Sequence, residues 1–330
     1  MRTRKAIALF SGGLDSILTV KFMQKLGYTV YPVFFNAPYF PTNKAVISAR
    51  DNGIELILRD ITEEHFAMVM NPKFGYGKNI NPCIDCHAMM INLAGRMMEE
   101  LNADFIITGE VIGQRPMSQR RDSLAVVANH SGFGDLLVRP LCQKCLPDTL
   151  PIRLGWVDKQ EMLNFNGRSR KPQMDMAAEY GITSFPAPGG GCSLTDVNYT
   201  LRLRELIKYE HDTGMDLSLL KYGRHYRLSP KHKLIIGRDE RENDTLWESF
   251  PESLFLRSDE FSGPLGLISG ADPSPKIIEL AASILLTYIT KAPDVSPVIF
   301  GIGDMLDRTL EARKASGEVL RALMITQPQE

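Results

Sequence analysis

The sequence predicts an α/β fold, a doubly wound parallel sheet, with a second, smaller α+β domain behind it. Three observations lead there. In the first half, short β-rich runs alternate with helical patterns. The apolar run "KAIALF" turns directly through "SGGLDS" into the helix-like "ILTVKFMQKLG", and beyond about residue 220 a different succession of strands and helices begins. Alternating strands and helices are satisfied by a parallel sheet with helices on both faces. Ligands in such folds bind beyond the carboxyl ends of the strands.

Taken in order, "AIALF" (6–10), "YTVYPVFF" (28–35), "IELILRD" (54–60), "DFIITGE" (104–110) and "DLLVRPL" (135–141) read as strands, with helical patterns at 16–26, 43–52 and 87–101. From about 142 to 200 the pattern loosens: "LPDTLP", "NGRSRKP" and "FPAPGGGC" supply turn residues around a helix at 169–180. This reads as a loop-rich annex to the ligand-facing edge. A charged helix at 197–211 follows, then strand-like "KLIIG" (233–237) and "SLFLRS" (253–258), an apolar helix at 276–290, "SPVIFGIG" (296–303) and a final helix at 306–323. The division expected is 1–205 and 206–330, with no internal repeat.

Composition agrees with two ordinary globular domains: 330 residues, 44% hydrophobic and 23% charged. The longest apolar stretch, "IIELAASILLTYI" (277–289), contains Glu279 and is shorter than the roughly 20 residues a membrane helix needs. It reads as a buried helix, and no membrane partner is expected. The N-terminus lacks the pattern of a secretory signal, so a cytoplasmic location is expected. A net charge of −1 gives no whole-molecule attraction to nucleic acid, so an RNA partner needs local basic patches. Of five cysteines, Cys83 with Cys86 and Cys142 with Cys145 form Cys-x-x-Cys pairs, which points to metal or thiol chemistry rather than structural disulfides.

The hexapeptide "SGGLDS" (11–16) aims backbone N–H groups and a positive helix end at one spot, which suits a phosphate. Its glycines permit close approach, Ser11 and Ser16 can donate hydroxyl hydrogen bonds, and Asp15 can hold magnesium or a water. It lacks the Gly-Lys-Ser/Thr ending of a Walker loop and the G-x-G-x-x-G of dinucleotide sites. The plain structural alternative is a glycine turn whose Asp or Ser caps the helix. The full hexapeptide resembles the PP-loop signature S-G-G-x-D-S of the ATP-pyrophosphatase superfamily. That resemblance implies an adenine nucleotide alpha hydrolase-like sheet, with ATP and Mg2+ as cofactors. It implies an ATP site of Ser11, Gly12, Gly13, Asp15, Ser16, Phe35, Gly109 and Gln114, and a catalytic role for Asp15.

In "NPCIDCHAMMINLAG" (81–95), Asn81 and Pro82 read as a turn that puts Cys83 and Cys86 at a helix start, where the dipole lowers a thiol's pKa. Cys192 lies in "PAPGGGCSLTD", whose glycines allow close approach to another site. Buried reduced thiols plus a loop cysteine are the plain alternative. "NPCIDCH" resembles the N-P-C-x-x-C-N segment of 2-thiouridine synthases. "TGEVIGQRPMSQ" (108–119) resembles the T-G-E-x-x-G-Q-x-x-S-Q segment of 4-thiouridine synthases, with one extra residue between Gln114 and Ser118.

These resemblances imply ATP-dependent thiolation of a tRNA uridine. ATP adenylates a carbonyl, and sulfur from a cysteine desulfurase relay or inorganic sulfide replaces the oxygen. They further imply either that Cys83, Cys86 and Cys192 hold a 4Fe-4S cluster, or that Cys86 and Cys192 act as nucleophile and persulfide partner without metal. Cys142 and Cys145, in "PLCQKCLPDTLP", together with Cys83 and Cys86 have the count of a four-thiolate Zn2+ site, the second choice. Rival readings are a PP-loop enzyme thiolating or amidating a small metabolite, and a non-enzymatic RNA-binding module.

Basic clusters occur at Arg115, Arg120 and Arg121; at Arg168, Arg170 and Lys171; and along "KYGRHYRLSPKHK" (221–233). The last carries Arg224 and Arg227 and interleaves Tyr222 and Tyr226, a pattern able to track phosphates and stack an unpaired base. "IIGRDERENDTL" (235–246), "FLRSDEFSGPLGLIS" (255–269) and "IIELAASILLTYITKA" (277–292) resemble the RNA-binding domain at the end of NFACT proteins, which adds Arg238 to the candidate RNA contacts. His87 receives no role, and Met89, Met90, Met97 and Met98 read as core packing.

Overall fold

Strand β1 (Lys5–Leu9) is the centre of the first sheet because Ala6, Ile7 and Ala8 are small or β-branched and almost wholly buried. In the computed structural model, which describes residues 3–77, 79–115, 118–187, 191–209 and 217–325, the chain forms two units, Met1–Thr195 and Asp196–Glu330. After β1 the first unit runs α1 (Leu14–Lys25), β2 (Thr29–Asn36), α2 (Thr42–Asp51), β3 (Ile57–Asp60), α3 (Thr62–Met70) and α4 (Cys83–Arg96). It continues with β4 (Phe105–Thr108), α5 (Arg121–Ser131), β5 (Leu137–Val138), α6 (Leu150–Arg153) and α7 (Lys171–Glu179).

The sheet order is β3-β2-β1-β4-β5 and every pairing is parallel. This is the α/β fold that the alternation predicts. β1 lies between β2 and β4, where the winding reverses, the place beyond the strand ends at which folds of this class form their binding crevice. Leu14, Ile17, Leu18 and Met23 of α1 pack on Ala6, Ala8, Phe105 and Ile107, which fixes the start of α1 against that crevice. α3 and α5 lie outside the predicted helices. The α5 signal was present: Leu124, Val127 and Ser131 are buried at helical spacing, and Gly132 closes the helix in the left-handed region at φ 75°.

The second unit runs α8 (Val197–Tyr209), β6 (Arg224–Ser229), β7 (His232–Ile236), α9 (Glu240–Ser249) and β8 (Leu254–Ser258). Then come β9 (Gly266–Ser269), α10 (Pro275–Leu286), β10 (Val295–Ile302), β11 (Met305–Arg313) and α11 (Gly317–Leu323). Its sheet, ordered β11-β10-β8-β9-β7-β6, is antiparallel throughout. Leu234 and Ile236 face a core shared with α10, whereas Ile235 faces one shared with Leu246 of α9. Burial on both faces accounts for the unbroken apolar run of β7.

Two expectations are corrected here. Residues 306–323 do not form one helix: Met305–Arg313 is a strand hydrogen-bonded along β10, and the helix is only Gly317–Leu323. Leu310 and Ala312, two apart, join the α10 core, so strand pairing overrides the helix-forming composition of "TLEAR". The basic stretch 221–233, whose Tyr226 is expected from sequence to be able to stack a base, is folded into the second sheet. It forms the β6–β7 hairpin, in which Tyr226 is 0% exposed with its hydroxyl paired to that of Tyr288, so Tyr226 cannot stack a base. No helix among the described residues is long and apolar enough to cross a membrane.

Candidate active site

The turn after β1 is closed by its own hydroxyls. Ser16 Oγ donates to Gly13 O at 2.8 Å and accepts from Ser11 N at 3.3 Å, while Ser11 Oγ lies 3.3 Å from it. Gly13 is the N-cap of α1: Ser16 N and Ile17 N donate to Gly13 O, Gly13 N donates to Ser11 Oγ at 3.3 Å, and the Leu14 and Asp15 amides of the first turn are left without a partner in the helix. Gly12 adopts φ +76°, and a Cβ there would meet Ala45 Cα of α2 at 2.7 Å, so both conformation and contact demand glycine. At Gly109 a Cβ would lie 2.8 Å from the backbone of Asp15, so the tail of β4 runs directly against the first turn of α1. Phe35 is 4% exposed and sits one residue before the end of β2, at the same sheet edge.

Asp15 is held on one oxygen by a relay of two glutamines. Gln114 Nε2 donates to Asp15 Oδ2 at 2.6 Å, and Gln173 Nε2 of α7 donates to Gln114 Oε1 at 2.8 Å. Burial raises the Asp15 carboxyl above its ordinary range; Gln114, Arg170, Arg115 and Gln173 oppose that rise by stabilising the carboxylate. The second oxygen, Asp15 Oδ1, is buried and has no partner. A buried, unpartnered carboxylate oxygen beside a phosphate cradle is a donor that fits Mg2+.

Beside Gly109 stands a network that the sequence reading missed. Glu110, 5% exposed, accepts from Arg139 Nε at 2.8 Å and Thr108 Oγ1 at 3.1 Å, and its other oxygen lies 2.9 Å from His87 Nδ1. Burial alone would raise this carboxyl, but Arg139 and His87 bring it down to about 2. The signal was the Glu of "TGE" itself, a carboxylate placed where a buried strand ends.

Cys83 and Cys86 occupy the first turn of α4, as the "NPC" turn predicts. In a parallel α/β unit, helix N-termini lie on the same edge as strand C-termini, so these thiols share an edge with the loop. His65 of α3 places Nε2 at 3.3 Å from Cys86 Sγ, and Asn81 Nδ2 lies 3.4 Å from Cys83 Sγ. The segment carrying Cys192 is tied back by Ser193 N donating to Tyr39 O at 2.8 Å. Part of its glycine run, 188–190, lies outside the described residues.

The expected lowering of the Cys86 thiol is corrected. Burial pushes it well above the ordinary range, and the neighbouring Cys192, Cys83 and Asp85 push the same way, so desolvation outweighs the helix dipole. That mutual influence puts Cys192 and Cys83 in the surroundings of Cys86. No three His, Cys, Asp or Glu side chains among the described residues converge closely enough to hold a single metal ion. Thiols are the ligands a 4Fe-4S cluster takes, and the Asp85 carboxylate next to them is engaged by the Lys73 and Phe74 amides at 3.0 Å each.

The zinc alternative is not assembled. Cys142 Sγ donates to Glu110 O at 3.2 Å, and Cys145 Sγ donates to Asn164 O at 3.6 Å. Burial pushes Cys142 up to about 11, as expected of an inert structural thiol.

The basic residues divide. Arg115 and Arg170 act on Asp15, Arg121 Nη1 donates to Cys145 O at 2.9 Å, and Arg120, Arg168 and Lys171 are exposed. In the second unit, Arg224 lies over the Tyr288 ring at 4.8 Å. Arg227 is ion-paired with Glu205 and Arg238 with Glu242, so neither presents the uncommitted charge expected from sequence.

A switch-point loop, a buried carboxylate beside it and thiols on the same sheet edge make up the candidate site of this doubly wound α/β unit. Residues 2–144 match the family model for the thiamine biosynthesis protein ThiI, and residues 223–320 match that for the NFACT protein RNA binding domain. The second match is to the RNA-binding domain that the C-terminal segments resemble; Cys145, Arg170, Gln173 and Cys192 fall outside both matched segments.

A protein named "Probable tRNA sulfurtransferase" from Staphylococcus epidermidis is 26% identical over 148 residues, covering 42% of this chain and 34% of that protein. A protein of the same name from Methanosarcina acetivorans is 30% identical over 119 residues, covering 33% of this chain and 28% of that protein. The chain thus spans about a third of the length of these relatives. Among solved structures, a 4-thiouridine synthetase–RNA complex with bound ATP aligns at 23% identity and TM-score 0.39, covering 54% of this chain and 41% of that one. The C-terminal part of the fibronectin/fibrinogen-binding protein of Streptococcus suis aligns at 12% identity and TM-score 0.29, covering 73% and 96%.

Proposed function

We propose that this chain is an ATP-dependent sulfurtransferase acting on a tRNA uridine. One observation carries the reading: Asp15, held by Gln114 in the "SGGLDS" loop, shares a sheet edge with Cys83, Cys86 and Cys192. An enzyme that swaps a carbonyl oxygen for sulfur needs both parts, one to make the oxygen a leaving group and one to hold the sulfur.

The uridine oxygen attacks the α-phosphorus of ATP and the bond to the β-phosphate oxygen breaks. The amide of Gly12 and the Leu14 and Asp15 amides at the start of α1 receive the charge that develops on the departing diphosphate. Asp15, through its unpartnered Oδ1, would hold Mg2+, which would supply further neutralisation of that charge. Sulfur then adds to the activated carbon, and collapse expels AMP and leaves a thiocarbonyl. Holding reactants together away from water protects the labile adenylate.

Cys83, Cys86 and Cys192 would hold a 4Fe-4S cluster, which supplies an open iron for an extra sulfide. The 3.3 Å contact of His65 with Cys86 favours a second reading, in which one of Cys86 and Cys192 takes a sulfane sulfur from a persulfide donor such as a cysteine desulfurase relay, the outer sulfur of that persulfide displaces AMP, and the other cysteine's thiolate attacks the inner sulfur, releasing the thiocarbonyl and closing the Cys86–Cys192 disulfide. RNA contacts come from the exposed Arg120, Arg168 and Lys171 and from the second unit. The test is conversion of α-labelled ATP to AMP by the full chain with Mg2+, sulfide and unmodified tRNA, with thionucleosides read by mass spectrometry. Wild type forms both products and Asp15→Asn forms neither; ATP left intact by wild type overturns the reading.

A further inference from the structure

We infer that the first turn of α7 belongs to the nucleotide's phosphate site: Arg170 makes a cationic contact to the departing diphosphate, and Gln173 positions Asp15 through Gln114. The inference rests on the ATP reading above and deepens it. It also moves Arg170 out of the RNA-binding group in which its sequence neighbours place it.

The geometry is specific. Gln173 is 0% exposed on a nine-residue helix, and its Nε2 is engaged by Gln114, whose own Nε2 is engaged by Asp15. Its Oε1 is buried with no partner, and so are Arg170 Nε and Asp15 Oδ1. Buried polar atoms are almost always partnered in a finished structure, and three unpartnered ones gathered around one loop mark a place where a polar ligand sits. Their character selects the ligand. The Arg170 guanidinium N–H, at the N-cap of α7, offers positive charge to a phosphate, and the Asp15 carboxylate oxygen offers negative charge to the cation that accompanies it.

Arg170 also stabilises the carboxylate form of Asp15, so its charge reaches the loop rather than the surface. Arg168 and Lys171 are exposed, while Arg170 is half-buried, so the nucleotide is favoured over an RNA backbone phosphate as its partner. A plain packing role would require no cation here, since the remaining inward face of α7 is Met176 and Ala177.

The test is calorimetric titration of the full chain with a non-hydrolysable α,β-methylene ATP analogue and with pyrophosphate, in Mg2+ and without RNA, alongside filter binding of unmodified tRNA. Arg170→Met and Gln173→Met are each expected to weaken analogue binding about tenfold or more, the scale of one charged hydrogen bond, while tRNA affinity stays at the wild-type value. Arg170→Lys falls between, and Asp175→Asn, exposed on the same helix, leaves both unchanged. Thermal melting checks folding; if Gln173→Met melts early, the Arg170 pair still decides. Wild-type analogue binding by Arg170→Met overturns the inference, as does loss of tRNA binding with analogue binding intact. Failure of wild type itself to bind either probe overturns the ATP reading and this inference with it.

Discussion

Gln114 donates its side-chain amide to Asp15 at 2.6 Å, joining the loop after β4 to the loop after β1 across the switch point of the sheet. Asp15 has few ways to remain ionised where it is, because burial favours its neutral form. Replacing Gln114 by Leu removes a hydrogen bond that stabilises the carboxylate, so the carboxyl pKa rises. If the ionised form serves the reaction, activity is present above that pKa and lost below it. The acidic limb of the pH–rate profile therefore moves to higher pH in Gln114→Leu. AMP formation measured from pH 5 to 9 checks this; an unmoved limb with reduced plateau would assign Gln114 to another task.

Gly109→Ala tests the contact between β4 and α1. The added methyl would lie 2.8 Å from the Asp15 backbone, so either strand or helix start must move. Such overpacking typically costs about 1–3 kcal/mol. A lower melting temperature together with weaker binding of the ATP analogue is expected. A melting loss with unchanged binding would mean that the loop tolerates the shift.

The central strand, the phosphate turn and the cysteine helix were legible because each is written in contiguous residues. "KAIALFSGGLDS" encodes strand, turn and helix start in one line, and "NPCIDC" encodes a turn and a first turn of helix. What was not legible depends on residues far apart in sequence. Gln173 reaches Gln114 from 59 positions away, and nothing local distinguishes it from any other helical glutamine. Tyr226 reads as a surface aromatic among arginines, yet it packs against the α10 side of the second core. Cys86 shows the same limit: its position at a helix start was readable, but the burial that governs its thiol was not.

Glu110 ties pH to stability with a definite sign. Its folded value, about 2, lies below the ordinary 4.5. The stability it contributes is therefore fully present above about 4.5 and is lost as pH falls toward 2. The depression corresponds to about 3 kcal/mol as an order of magnitude. Urea unfolding at pH 7, 5 and 3.5 should show wild type losing stability toward acid with a steeper slope than Glu110→Gln. At pH 7 the variant is less stable, because Arg139 is left buried without its counter-charge. Equal acid slopes would mean that Glu110 is not the titrating group.

The cysteines separate the two sulfur chemistries. Under anaerobic purification with iron and sulfide assays, a cluster on Cys83, Cys86 and Cys192 gives a brown wild-type protein, and each of the three alanine variants loses the colour. Cys142→Ala and Cys145→Ala keep it, because those thiols bond to the Glu110 and Asn164 carbonyls rather than joining the other three. If sulfur instead travels as a persulfide, wild type is colourless and Cys83→Ala retains thionucleoside formation, while Cys86→Ala and Cys192→Ala lose it. Mass spectrometry after incubation with a persulfide donor, which leaves as its thiol, then finds an added 32 Da, the mass of one sulfur atom, on one of the two essential cysteines. Loss of thiolation in Cys142→Ala with ATP cleavage intact would contradict both assignments, since it would bring into the chemistry a thiol that burial holds up at about 11.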